Sequence, residues 1–537
     1  MNNKGAGLMK FSLAISQSAV DLVHTMTARE LLNQVCCPAF SRVGSDCQEA
    51  FGSMFFHPME REVLEREIAG FKAKCGIPPF IVSDLETGAG HMVLGATKFP
   101  YMMGLSQTNS EELAYEVGAI AATEAGELGY NWTFSPVADL AYDPDSPVVG
   151  MRSAGMEPEH ASKIVSAYMR GLQENGMMAT IKHFPGDGYG SYDQHLTTPV
   201  NPLDKEQWRS GPGKVFQNLI DDGAMVVMPG HISLPAFDDI DIATGVCPPA
   251  TISKRLLVDL LRGEMGFDGL IVTDALEMGG LVGYINYFDG CALALENGCD
   301  ILLFPRMDEL FYKEMLARVE SGLLSLATLK DRASRVISLK EQFGLLEDRK
   351  PEVVAISDPV HNQEIAREVV SRSITVVRDR KGLIPFSPGK RLSKVLHIAI
   401  MNNHERYESL YGTIRNELGK YAEQVEQMID PGPDKLYQAM NDGGFELVIC
   451  SIGSELSYGL NVVRLHGEVA RNMMGGWTKL GMPIIFISHF HPFVHKEYEV
   501  SIETIVNTYG DIDCTIEYVM AGIFGGRQLN RSLYAHN

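Results

Sequence analysis

The chain has 537 residues, which at roughly 150 residues per domain allows two to four domains, or fewer if one is a large barrel. Hydrophobic residues make up 45% and charged residues 21%, a balance that excludes wholesale disorder and a collagen-like fibre. The formal net charge of −22 repels phosphate backbones and anionic headgroups, and no Lys/Arg run offsets it, so neither nucleic acid nor a membrane surface is an expected partner.

The first residues carry a short apolar stretch near Phe11 to Ile15, soon broken by Ser and Gln and followed by no clean cleavage signal. No apolar run approaches the roughly 20 residues of a membrane helix, and a cytoplasmic location is expected. The nine cysteines are scattered without CxxC spacing, which predicts buried free thiols in place of a disulfide framework or a zinc knuckle.

Through the first two thirds, short apolar runs ending in polar residues alternate with stretches of helical spacing. The predicted strands are PPFIVSD ending at Asp84, NWTFSPVADL around Phe134, MMATIKHF ending at Phe184, AMVVMPGH ending at His231, GLIVTDAL around Asp274 and CDILLFP near Pro305. Between them lie helical segments such as SEELAYEVGAIAATEAGELG, opened by Ser110, and EHASKIVSAYMRGLQENG. The pattern predicts an α/β fold, a (β/α)8 TIM-type barrel over residues 1–345 with its chemistry at the C-terminal strand ends. A charged run with two prolines, LLEDRKPEVVAISDP, marks a boundary. Beyond it ITVVRD, KVLHIAIM, FELVICSIGS, MPIIFISHF and IETIVNTYG read as buried parallel strands, predicting a smaller doubly wound α/β sandwich domain over residues 346–537. The glycines between Gly453 and Trp477 follow neither GxGxxG nor GxxxxGK[ST], so a nucleotide site is unsupported.

Three stretches carry candidate chemistry. In Lys182-His183-Phe184-Pro185-Gly186-Asp187 a strand ends in two hydrogen-bonding cations, and the Gly-rich loop that follows carries Asp193 and His195. At that spacing a bent loop lets a carboxylate hold one imidazole nitrogen while the other faces a substrate, which makes a proton shuttle; the bland alternative is a solvated surface histidine. In IVTDALEM, Asp274 closes a buried strand, either as a nucleophile or as a cap on backbone donors. In VSDLETGAG, Asp84 and Glu86 could bind hydroxyls or a metal, or only turn the chain. His489 and His491 have the spacing of a ligand pair but lack an evident third ligand, and Lys182 amid the loop acids opposes a cation there.

KHFPG, the Asp-x-His loop and the later Asp-Ala pair together resemble glycoside hydrolase family 3, in its β-N-acetylhexosaminidase branch. The resemblance implies a retaining exo-acting enzyme without metal or cofactor, with Asp274 as nucleophile and His195 with Asp193 as acid and base. It implies sugar contacts from Asp84, Arg152 in GMRSAG, Lys182 and His183, with His231 and Met278 lining the same subsite. Many bacterial members have His where this chain has Asp187, and the aromatic loop from Tyr189 to Tyr192 departs from their small acidic residues, which leaves the aglycone open. A phosphorylase or β-glucosidase on the same scaffold, and a catalytically silent sugar-binding protein, are the alternatives. The partner implied is a small carbohydrate, and a homodimer is left open.

Overall fold

The computed structural model describes residues 10–240, 245–346, 357–454, 458–512 and 514–534. Most of the expected boundary, residues 347–356, lies outside them. Contacts divide the chain into two compact units.

The first unit comprises Met1–Lys98, Ala114–Leu140 and Glu157–Asn362. Its eight strands are β1 (Cys36–Cys37), β2 (Ser53–Phe55), β3 (Phe80–Ser83), β4 (Trp132–Thr133), β5 (Met178–Phe184), β6 (Val226–Pro229), β7 (Leu270–Ala275) and β8 (Ile301–Leu303). They pair in parallel in the order β1-β8-β7-β6-β5-β4-β3-β2. A parallel bridge between Ala39 and Phe55 closes the ring just past β1. Strands β3 to β8 are the six expected. The first two were not foreseen, because runs of two and three residues carry no readable period.

Alternate strand residues fill the barrel: Cys37, Phe55, Phe80, Val82, Trp132, Met178, Val226, Leu270, Val272, Ile301 and Leu303 form one buried cluster. Behind it, Asp300 is wholly buried and takes Arg262 at 2.8 Å, Arg335 at 3.1 Å and the amide of Ile271 at 2.8 Å. Burial opposes its charge, but these arginines and Arg332 outweigh that and hold the carboxyl below its ordinary range. The ion cluster thus ties β7 and β8 to the helix Leu326–Gln342.

The second unit comprises Phe99–Leu113, Ala141–Met156 and Gln363–Asn537. Its sheet contains β9 (Thr375–Asp379), β10 (Leu392–Met401), β11 (Ala422–Ile429), β12 (Leu447–Gly453), β13 (Ile484–Ser488), β14 (Thr504–Asn507) and β15 (Asn530–Arg531), in the order β11-β10-β12-β13-β14-β9-β15. Both faces are covered. Val395, Leu447, Ile449, Ile485, Ile487 and Val506 enter one buried cluster, and Leu396, Ile398, Val448, Cys450, Phe486 and Ile505 the other. Two-sided burial is why these strands read as continuous apolar runs.

Here the structure corrects the expectation of an all-parallel sheet, since β9 runs antiparallel to β14. Edge strand β11 was also missed, because AEQVEQMI exposes one polar face and lacks an apolar run. The segments 99–113 and 141–156, which the sequence reading placed within residues 1–345, cluster with this unit. Met103, Val148, Val149 and Met151 pack with Ala399, Met401, Tyr407, Phe490 and Tyr509, and Ser106 Oγ meets Tyr534 Oη at 2.6 Å. Among the described residues no helix is long and apolar enough to cross a membrane.

Candidate active site

Three strands of the barrel end in carboxylates, and a fourth ends in Lys182 and His183. Asp84 directly follows β3, and Lys182 near the end of β5 donates to it at 3.0 Å and pairs with Glu86 at 2.8 Å. The Lys182 side chain is 5% exposed and that of Asp84 29%, so the lysine is the buried partner and the carboxylate the more open one. Asp139, six residues after β4, was not singled out from sequence. One of its oxygens contacts His183 Nδ1 at 2.7 Å, and the other accepts the amides of His183 at 3.1 Å and Asp187 at 2.8 Å. A signal was present: Asp139 closes the β4 segment as Asp84 and Asp274 close theirs.

Asp274, in β7, lies 3.9 Å from His183 Nε2, and one of its oxygens accepts the Ala275 amide at 2.7 Å. Burial opposes its ionisation, but His183, His231, His195 and that amide outweigh it and hold the carboxyl below its ordinary value of 3.8. At neutral pH Asp274 is a carboxylate, the form that attacks carbon.

The loop after β5 brings Asp193 and His195 to this carboxylate's neighbourhood. Asp193 is buried; its Oδ1 contacts His195 Nδ1 at 2.6 Å and accepts the His195 amide at 2.8 Å. The His195 ring is 31% exposed. This is the geometry the spacing predicted, a buried carboxylate fixing one nitrogen of a half-exposed imidazole. Gln194 between them is buried and turned inward, where its Oε1 accepts the His231 amide at 2.8 Å. No sequence signal marked it. Asp187, the departure from the family pattern, is also buried and accepts the Gly188 amide at 2.7 Å, which turns the Gly-rich loop.

The loop is bonded to the residues just after the Asp274 strand. The Gly279 amide donates to the His195 carbonyl at 2.7 Å, the Gly280 amide to Gln194 at 2.9 Å, and Thr198 Oγ1 to the Gly280 carbonyl at 2.7 Å. Both glycines are required by this approach: a Cβ on Gly279 would stand 2.3 Å from the Leu196 carbonyl oxygen, and one on Gly280 2.7 Å from that of Gln194.

Two expected sugar contacts have protein partners of their own. His231 is fully buried, its Nδ1 2.7 Å from Thr251 Oγ1 and its Nε2 2.9 Å from the Ala275 carbonyl. Burial lowers its affinity for a proton, so the neutral ring donates to Ala275 and steadies the residue next to Asp274. Arg152 belongs to the second unit, where it is buried, donates to the Val148 carbonyl at 2.9 Å and lies 5.2 Å from the ring centre of Tyr458. Met278 is buried at the start of the helix Gly279–Val282.

His489 and His491 each have a protein partner. His489 Nε2 contacts Ser451 Oγ at 3.0 Å, and His491 Nδ1 accepts the Phe493 amide at 3.0 Å. Among the described residues no group of three or more His, Cys, Asp or Glu is placed to hold a metal ion.

The chain is similar to known proteins across both units. It is 28% identical over 509 residues, 88% of this chain and 86% of the other, to a Cellulomonas fimi protein named beta-N-acetylglucosaminidase/beta-glucosidase. It is 34% identical over 263 residues, 47% of this chain and 70% of the other, to a beta-hexosaminidase of Chromobacterium violaceum. Among solved structures, the beta-glucoside phosphorylase BglX superposes with a TM-score of 0.85 at 26% identity, covering 95% of this chain and 94% of that one. The pattern described as the glycosyl hydrolase family 3 N terminal domain matches residues 50–339, a span that holds Asp84, Asp139, the Lys182–His195 stretch, His231 and Asp274. With more than half its length matched and its strand-end carboxylates inside the match, the chain belongs to glycosyl hydrolase family 3 and is a glycosidase.

Proposed function

We propose that the chain is a retaining exo-acting β-N-acetylhexosaminidase that releases terminal β-linked N-acetylglucosamine through a covalent glycosyl-enzyme. The observation that carries this reading is the buried Asp193 holding His195 Nδ1 at 2.6 Å, on a loop bonded to the residues just past Asp274. Asp274 attacks the anomeric carbon as the glycosidic bond breaks, and His195 gives a proton to the departing oxygen. In the second step His195 takes a proton from water, whose oxygen displaces Asp274 from the sugar. Asp84, Lys182 and His183 bind sugar hydroxyls, Asp139 and His231 act as positioning residues, and Met278 lines the subsite. The Cellulomonas fimi and Chromobacterium violaceum relatives support the N-acetylhexosaminide substrate. Nine free thiols suit a reducing compartment, and a cytoplasmic role in recycling N-acetylhexosamine glycans, cell-wall fragments among them, is part of this reading.

Phosphorolysis is the second reading. The similarity to a beta-glucoside phosphorylase favours it, as does an imidazole where a second carboxylate would repel incoming phosphate. The test is nitrophenol release from β-glycosides of N-acetylglucosamine, N-acetylgalactosamine and glucose, with and without phosphate. Phosphate-independent turnover of the N-acetylglucosaminide is expected. Sugar 1-phosphate as main product would select phosphorolysis, and preference for the glucoside would overturn the acetamido specificity. Asp274→Asn should lower kcat by at least about 10³-fold while sugar binding persists; a fully active variant would remove the covalent route.

A further inference from the structure

On the reading of His195 as proton donor, the chain neighbours of the Asp193–His195 pair are the first candidates to surround a leaving group. Those residues are Tyr192 and Leu196, and they are exposed where their neighbours are not: 65% and 52%, against 1% for Asp193 and 2% for Gln194. Their positions are set by the loop. The Leu196 and Thr197 amides both donate to the Asp193 carbonyl, at 2.9 and 3.1 Å, closing a turn around His195. The Leu196 backbone lies against Gly279, and Val282, 41% exposed, ends the short helix that Gly279 begins. Large apolar side chains left open on a bonded loop beside a catalytic proton donor mark a contact surface for something that binds there.

We propose that Tyr192 and Leu196 form an apolar lip of the leaving-group site, selecting aglycones that present a neutral ring face. The inference rests on the reading of His195 as acid and base. An aryl ring and the C–H face of a pyranose offer the same chemistry to a tyrosine ring. A charged group set against this lip would lose hydration and gain no partner from the Tyr192 ring or Leu196. Selection therefore acts on the group that leaves, and the sugar that stays is read elsewhere in the barrel.

The test compares kcat/KM for β-N-acetylglucosaminides with methyl, phenyl, 4-carboxyphenyl and N-acetylglucosamine aglycones, in wild type, Tyr192→Ala, Tyr192→Phe and Leu196→Ala. Variant-to-wild-type ratios for each substrate cancel differences in leaving-group acidity. Tyr192→Ala and Leu196→Ala should lose roughly three- to tenfold more on the phenyl glycoside than on the methyl glycoside, and Tyr192→Phe should keep the wild-type ratios. A matching loss on the disaccharide would extend the lip to sugar aglycones, and a loss on the phenyl glycoside alone would confine it to aryl ones. Equal losses on methyl and phenyl substrates would overturn the lip, as would a larger loss on the methyl glycoside, the sign of a displaced His195, a Tyr192→Phe that behaves like alanine, or a wild-type preference for the carboxylate-bearing aglycone beyond what its leaving-group acidity accounts for. Should glucosides prove the better substrates, the acetamido reading fails while the same ratios, read on glucosides, still decide the lip.

Discussion

Two pairs of histidines, one in each unit, have opposite partners. In the barrel, His183 and His195 each have a buried carboxylate on Nδ1, Asp139 at 2.7 Å and Asp193 at 2.6 Å. In the second unit His397 lies between Gln427 at 2.8 Å and Ser451 at 3.1 Å, and His489 shares that serine. Among the described residues neither has a carboxylate hydrogen bond, and burial pushes His397 down to about 3 and His489 to about 4. The second pair are neutral polar packing within an apolar sheet. What separates the two pairs is the partner on the ring, a carboxylate in one and neutral side chains in the other.

The sharpest way to break this contrast is Asp193→Asn, which keeps the shape and removes the anion. It should lower kcat/KM on a disaccharide by about 10³-fold, the scale of losing an orienting carboxylate, and by much less on nitrophenyl glycosides, whose leaving group needs little protonation. Equal losses on both would strip His195 of its acid role. Asp139→Asn should cost less, about 10- to 100-fold in kcat/KM, because it loosens a positioning partner. A wild-type profile would show that His183 needs no anion.

The smallest effect is on stability. With its folded value near 4 and an ordinary value of 6.5, His489 takes up a proton more readily when unfolded. Its neutral burial therefore costs nothing above pH 6.5, and stability is lost as pH falls from there toward 4. His489→Asn should flatten this acid slope, narrowing the Tm drop between pH 7 and pH 4.5 by about 2 to 4 °C in full-length protein. An unchanged slope would remove His489 from the acid response.

The barrel was legible because β3 to β8 lie in apolar runs that alternate with stretches of helical spacing, and the Asp-x-His spacing foretold the pairing seen at 2.6 Å. His489 and His491 share the alternation of Asp193 and His195, yet spacing alone could not separate them, since burial and the identity of the partner decide the chemistry. Asp139 lies 44 positions before His183 and is joined to it only by folding. The antiparallel β9 was illegible for a related reason: two-sided burial records that a strand is interior and not which way it runs.

The glycines behind the acid–base loop carry a consequence for how the enzyme tolerates change. Because Gly279 and Gly280 admit the loop only by lacking side chains, His195 and Asp274, the proposed proton donor and nucleophile, share one mechanical foundation. Any movement that carries His195 outward must first sever the bonds to the segment that follows Asp274. A single methyl group at either glycine would press on the backbone of this loop and shift His195 relative to Asp274 without replacing either side chain.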